Sequence, residues 1–360
     1  MKKVMLSIIV LLLIPAVVFG FSKSGQQAMQ FLEIGMGARA TAMGCAYVAS
    51  ADDAISLYWN PAGIAELHEK EKKFSFTATH LKYFADINYD FIGAIYDVKN
   101  IGVFGISASM LYMPEMDRRT VFHSEGDGTK FKATDMMVGL SYARHLTDKF
   151  AVGLTFKYVA EYLDDVSGQS WTADLGTTYK VGFKDIRIGM AIKDFGANVN
   201  YLDKEEFSDA YSAAMPITFR LGIMKEWNLP KESLRDKTPH NDFEVLTALE
   251  LLHPADSHEQ YMLGTEFRFK NMFFVRGGYC LTSSTYDDED EKKEDEQGST
   301  SEFGDSSGSR NTDYDFSAGF GLMFDMSGKM VKVDYSFTHF KYLAPELMDN
   351  PHRISIGFEF

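Results

Sequence analysis

The 360-residue chain sets 36 Lys and Arg against 51 Asp and Glu, a formal net charge of −15 at pH 7. That balance argues against nucleic acid as a partner, because a phosphate backbone calls for the opposite sign. About 340 residues remain after the leader described next, enough for one large β-domain or two ordinary ones.

The first segment reads as a secretory signal over residues 1–20. Lys2 and Lys3 precede an apolar run from Met5 to Val18, and Val18 and Gly20 supply small residues before Phe21. No Cys follows the run, so a lipid anchor is not expected there. Beyond residue 20 nothing has the roughly 20 consecutive apolar residues of a transmembrane helix. An exported chain of this kind, if it lives in a membrane, must be a closed barrel, which satisfies its own backbone in lipid.

Residues 21–72 do not alternate as strands do. Gln26 to Ile34 reads as a short helix, and a Gly/Ala-rich stretch follows. Gly35, Gly37 and Gly44 permit close backbone packing or turns. Arg39 is placed to form an internal ion pair with Asp52 or Asp53. Asn60 precedes Pro61, which pushes it to an extended or turn conformation.

From residue 73 the pattern has period two. Strands are expected near 73–84, 86–98, 101–112, 134–146, 149–162, 170–180, 186–195, 216–227, 243–252, 259–269, 272–283, 313–325, 330–341 and 352–360. In 314–324, for example, Tyr314, Phe316, Ala318, Phe320 and Leu322 oppose Asp315, Ser317, Gly319 and Gly321. Fourteen strands is an even number, as closure with both termini on one side requires. Short connections alternate with long ones (113–133, 196–215, 284–312, 342–351), apart from a long 228–242 and a tight 84–86. The acidic run YDDEDEKKEDE and the Gly/Ser run after it make 284–312 a solvated extracellular loop. The abundance of Phe (29), Tyr (18) and Gly (29) suits aromatic girdles and tight strand packing.

Other motifs carry little chemistry. Gly35 to Ala40 matches a loose dinucleotide fingerprint without a preceding strand or a βαβ unit. His253, Asp256 and His258 fall in an expected loop and read as solvated rather than metal-binding. No nucleophile elbow, Cys/His pair or phosphate loop occurs. No catalytic residue, cofactor or metal is therefore expected. Cys45 and Cys280 are able to pair in an oxidising compartment, but buried free cysteines are common packing residues.

Two resemblances sharpen the reading. The last strand, with Ile354, Ile356, Phe358 and Phe360 on one face, resembles the closing strand by which outer-membrane barrels are recognised, so Phe360 is the expected insertion signal. In the amino-terminal segment, Gly37, Ala38 and Arg39, then Ala-Met-Gly ending at Gly44, then Asp52 and Asp53 within Ala-Asp-Asp-Ala, and Trp-Asn-Pro-Ala-Gly (Asn60, Pro61, Ala62, Gly63) resemble the signature of PorV/PorQ-type proteins. These belong to the FadL-like group of outer-membrane barrels. Cys45 stands where that signature has a small residue, usually Gly.

The resemblance implies an all-β transmembrane antiparallel barrel of about 14 strands over 73–360 in the bacterial outer membrane. Residues 21–72 would form a hatch in its lumen, held to the wall by Asn60, Pro61 and Ala62. It implies passive transport of hydrophobic small molecules or, as the alternative, a component of a type IX protein secretion system that binds cargo at the cell surface. The expected partners are outer-membrane lipid, the barrel-assembly machinery, and either a hydrophobic ligand or a secreted cargo protein.

Overall fold

The computed structural model describes residues 27–119, 121–203, 209–228, 243–255, 257–282, 314–340 and 350–360. Signal 1–20, residues 21–26 of the amino-terminal segment, the acidic loop 284–312 and most of 228–242 and 342–351 lie outside the described residues.

The chain's strands are β1 (Phe74–Lys82), β2 (Asn88–Val98), β3 (Gly102–Tyr112), β4 (Met116–Asp117), β5 (Lys130–Phe131), β6 (Ala133–Thr147), β7 (Phe150–Leu163), β8 (Val166–Lys180) and β9 (Ile186–Gly196). They continue as β10 (Val199–Asp203), β11 (Asp209–Ala213), β12 (Thr218–Asn228), β13 (Phe243–Pro254), β14 (Gln260–Phe269), β15 (Phe273–Thr282), β16 (Tyr314–Met326), β17 (Lys329–Phe340) and β18 (His352–Glu359). Fourteen of them, all but β4, β5, β10 and β11, form one antiparallel ring, which closes where β1 pairs with β18. The fold is thus the 14-strand barrel expected from the alternation.

Each wall strand turns its large apolar residues outward. Ile106 on β3, Leu140 on β6, Phe320 on β16 and Ile356 on β18 are all more than half exposed to the medium around the barrel, which a bilayer would cover. The alternate positions, such as Ser107, Ser141, Ser336 and Ser355, are buried inside. Short turns at the end that carries Phe360 mark it as the periplasmic side. Three of these turns hold successive residues at left-handed φ, Lys184 with Asp185, Lys270 with Asn271 and Ser327 with Gly328, as the twist of tight hairpins demands.

Two features depart from the expected pattern. Residues 163–169 continue the wall: β7 and β8 are joined by a two-residue turn at Asp164 and Asp165 where a longer connection is expected. The connection 196–215 contains the hairpin β10–β11, and β10 pairs with the outer end of β8. Strands β6, β7 and β8 run 15, 14 and 15 residues against 9 in β1, so one side of the barrel stands taller outside the membrane.

The lumen is filled by residues 27–72. Their regular pieces are short: a 3-10 turn at Gln30–Glu33, α1 (Ala38–Ala42), α2 (Ser56–Trp59), a 3-10 turn at Pro61–Ala65 and α3 (Glu66–Glu69). The expected helix over Gln26 to Ile34 is reduced to the one 3-10 turn, because Met29 takes left-handed φ and Gln27 bridges Ala214 instead. Among the described residues the segment supplies most of the fully buried large side chains, including Tyr47, Trp59, Met36 and Met43. Trp59 donates its ring N–H to Met36 O (2.8 Å), and Tyr58 donates to Leu32 O (2.7 Å). These bonds satisfy the polar atoms that so much aromatic burial would otherwise strand.

Candidate functional site at the plug and its seat

Asn60 joins the plug to the wall. Its extended backbone (φ −157°) follows from the proline after it. The carboxamide is fully buried and uses both ends. Its oxygen accepts from Ala62 N–H (3.1 Å) and so caps the 3-10 turn Pro61–Ala65, while Nδ2 donates to Val48 O (2.8 Å) and to Thr177 O on β8 (3.1 Å). Gly63 sits so close to Ala51 and Ser56 that a Cβ would lie 2.6 Å from Ala51 O.

The wall meets the plug through missing side chains. A Cβ on Gly153 would overlap Pro61 and Ala62, and one on Gly176 would overlap Asn60 Oδ1. Gly189 and Gly222 face Val48 in the same way, Gly264 faces Met43, Gly278 faces Gly44, and Gly319 faces Ala42. Seven wall strands thus present bare backbone at one level. Within the plug, Gly44 and Cys45 both take left-handed φ (63° and 57°), which gives a physical reason for a glycine preference at the Cys45 position.

Charge pairs add to this seat. Arg39 reaches Asp52 (2.6 Å) and Asp53 (3.4 Å) within the plug and Glu266 on β14 (2.9 Å). Glu266 also receives Arg276 (2.6 Å) and Arg268 (2.7 Å), and Arg276 continues to Asp334 (2.7 Å). Burial opposes the charge on Asp52, but Arg39 and then Lys70 outweigh it and hold the carboxyl well below its ordinary range. Ala38 N–H donates to Ser355 Oγ on β18 (2.8 Å), and Thr41 shares a hydrogen bond with Ser336 of β17.

The description of the family whose sequence profile matches residues 23–229, more than half of the chain, is "Type IX secretion system protein PorV". The chain belongs to the PorV family. No curated protein matches it. Among solved structures it is similar to the "TodX monoaromatic hydrocarbon channel deltaS2 mutant" (TM-score 0.52, 11% identity, covering 90% of this chain and 97% of that one). It is similar also to the "CymD monoaromatic hydrocarbon channel" (TM-score 0.51, 12% identity, 91% and 97%) and to the Pseudomonas putida toluene transporter TodX (TM-score 0.50, 10% identity, 90% and 97%). At these identities the likeness shows the FadL-like fold. The chain is an outer-membrane β-barrel.

In this PorV-family barrel the plug separates two cavities that share no lining residue. The extracellular one, about 50 Å³, is lined by Trp59, Tyr83, Lys193, Arg220, Gln260 and Phe340, among others. The periplasmic one, about 290 Å³, is lined by Asp52, Lys70, Arg268 and Lys332, among others. On the extracellular side Arg220 pairs with Glu250 (2.7 Å) and lies over the Trp59 ring, and Glu250 accepts from Val48 N–H (2.8 Å). Lys193 lies 3.9 Å over the Tyr58 ring.

Of the residues singled out from sequence, Arg39, Asp52 and Asp53 come together, and Asn60, Pro61, Ala62 and Gly63 form the turn at the wall. Gly37, with left-handed φ, opens α1 beside Ile55. Phe360 closes the seam: its carbonyl accepts from Lys73 N–H (2.8 Å) and Phe74 N–H (3.1 Å), and its ring lies 5.3 Å from that of Phe74. Cys45 and Cys280 are both buried and are not bonded to each other. His253 pairs with Glu259 (3.2 Å), and Asp256 lies outside the described residues. Sequence reasoning missed the wall half of the network, namely Glu266, Arg268, Arg276, Asp334, Arg220 and Glu250. A charge at a lumen-facing position of an otherwise alternating strand is the signal that marks them.

Proposed function

We propose that this chain is a plugged, non-catalytic outer-membrane barrel that serves a type IX secretion system by binding exported proteins at the cell surface. The observation that carries this reading is the seat: the plug packs against bare glycine backbone on seven wall strands, backbone to backbone on five of them, and is locked by buried charge pairs. Such a lumen suits a docking scaffold better than an open conduit. Membership in the PorV family supports the same choice, and the tall side formed by β6, β7, β8 and the β10–β11 hairpin offers ordered surface above the membrane. The test is a deletion of the gene with complementation. Secreted proteins are expected to accumulate in the periplasm, while permeability to hydrophobic solutes stays unchanged. Normal secretion in the deletion strain would refute the proposal.

A second reading, passive entry of hydrophobic small molecules, has one observation in its favour. Beyond the pair Lys193 and Thr218, β9 no longer pairs with β12, and the chain before β12 turns inward to bridge Gln27. This leaves a break in the wall ladder beside the extracellular cavity. Faster uptake of toluene by proteoliposomes holding the barrel would favour this reading over the first.

A further inference from the structure

At the periplasmic mouth a cluster stands apart from the seat. Glu66 and Glu69, three residues apart on α3, face His145 near the end of β6. The Oε2 edges of both carboxylates point to Lys180 of β8, whose Nζ lies 3.0 Å from Glu66 Oε2 and also contacts Glu69; Arg187 adds a contact of 3.6 Å to Glu66. The Oε1 edges point elsewhere. His145 Nε2 lies 3.4 Å from Glu69 Oε1 and 4.0 Å from Glu66 Oε1. Glu66 is only 6% exposed, yet its Oε1 and both ring nitrogens of His145 are out of solvent with no hydrogen-bond partner. Buried polar atoms are nearly always bonded, so the two orphans that face each other, Glu66 Oε1 and His145 Nε2, call for a missing partner between them. One ligand atom from each of the three residues lies within 4.8 Å of the others. An opening of about 170 Å³, lined by Ala65, His68, Asn100 and His145 among others, leads there from the periplasmic side.

We propose that Glu66, Glu69 and His145 bind a divalent transition-metal cation of the zinc class, which clips the last helix of the plug to the wall. Ligands about 2.0–2.2 Å from a tetrahedral metal stand roughly 3.4 Å apart, close to the separations here. The imidazole selects against the hard, all-oxygen cations calcium and magnesium. Three protein ligands leave a fourth position for water. Lys180 neutralises the same two carboxylates and therefore opposes the cation, so its removal strengthens binding.

The test uses the full mature chain in detergent, without a polyhistidine tag, stripped by a chelator and titrated calorimetrically with zinc chloride. One zinc per chain is expected, with no comparable heat from magnesium chloride. His145→Gln and, independently, the half-exposed Glu69→Gln are each expected to weaken affinity by at least about tenfold, and Lys180→Met to tighten it. Retained heat-modifiable gel migration shows that each variant is folded. Absence of saturable binding, or unchanged affinity in both folded ligand variants, overturns the proposal.

Discussion

Asn60→Ala isolates the link between plug and wall. The substitution deletes three hydrogen bonds of 2.8, 3.1 and 3.1 Å and leaves Val48 O, Thr177 O and Ala62 N–H without that partner in a site closed to water. At a net value of about 1 kcal/mol for each bond, the plug loses about 3 kcal/mol relative to its displaced state. That is about two orders of magnitude in the opening equilibrium. Fourteen wall strands keep their ladders, so the barrel is expected to retain heat-modifiable migration on gels. The measurement is amide hydrogen exchange across 27–72, paired with conductance in planar bilayers. Exchange near Val48 and Ala62 is expected to accelerate about a hundredfold, and brief open events to appear. The neighbouring Gly176 gives an internal check. A methyl group there overlaps Asn60 Oδ1 in the wild type, so Gly176→Ala is expected to loosen the plug alone but to cost less in the Asn60→Ala background. Exchange altered by less than about threefold would refute the reasoning, since a change that small corresponds to less than one hydrogen bond.

Three further outcomes follow from the geometry. Phe320→Arg places a charge on the lipid-facing side and is expected to destabilise the folded barrel by about 2–4 kcal/mol if near the midplane, read from urea refolding into vesicles; a cost no greater than that of Phe320→Ala would contradict the lipid-facing assignment. The charge of Asp52 is favoured by the fold, so its contribution is complete above the unfolded value of about 3.9 and disappears as the pH falls through the lower folded value. The plug's opening free energy, taken from exchange rates divided by the intrinsic amide rate at each pH, is thus expected to be flat from about pH 5 to 8 and to fall only in stronger acid, and Arg39→Met should move that fall to higher pH; a wild-type fall already at about pH 6 would show that other groups govern it. Deleting Phe360 removes the carbonyl that accepts from Lys73 and Phe74, so outer-membrane yield should fall and periplasmic material accumulate, whereas full yield would clear the terminal residue of any such role.

Alternation alone revealed the wall, because lipid outside and polar filling inside impose opposite demands on neighbouring residues. It faded where those demands cease. Residues 163–169 stand above the lipid, so Ser167 and Gln169 face outward without penalty and the strand escaped notice. The β10–β11 hairpin was hidden for the same reason. In the plug, Arg39 and its acidic partners were legible because they lie 13 and 14 residues apart in one segment. Their wall partner Glu266 lies 227 residues away, and only the ring's register brings it to Arg39. The glycines of the wall looked like ordinary strand glycines until the backbone they face was seen.

The path of the plug also orders events in time. It begins at Gln27, bridged to Ala214 toward the outer side, and ends at Lys73, bonded to the last residue of the chain on the inner side. The chain therefore crosses the whole ring before contributing its first wall strand. Threading Trp59 and Tyr47 through a finished ring would mean forcing bulky rings past a waist already fixed by its ladders. Gathering strands around a waiting core avoids that obstacle. On this route the eight residue pairs between β1 and β18 form last, and their closure traps the contents. Pulse-labelled assembly intermediates should then protect 27–72 before the seam, and the reverse order would rule this route out. The chain's first and last residues in the ring would act as the two ends of one clasp.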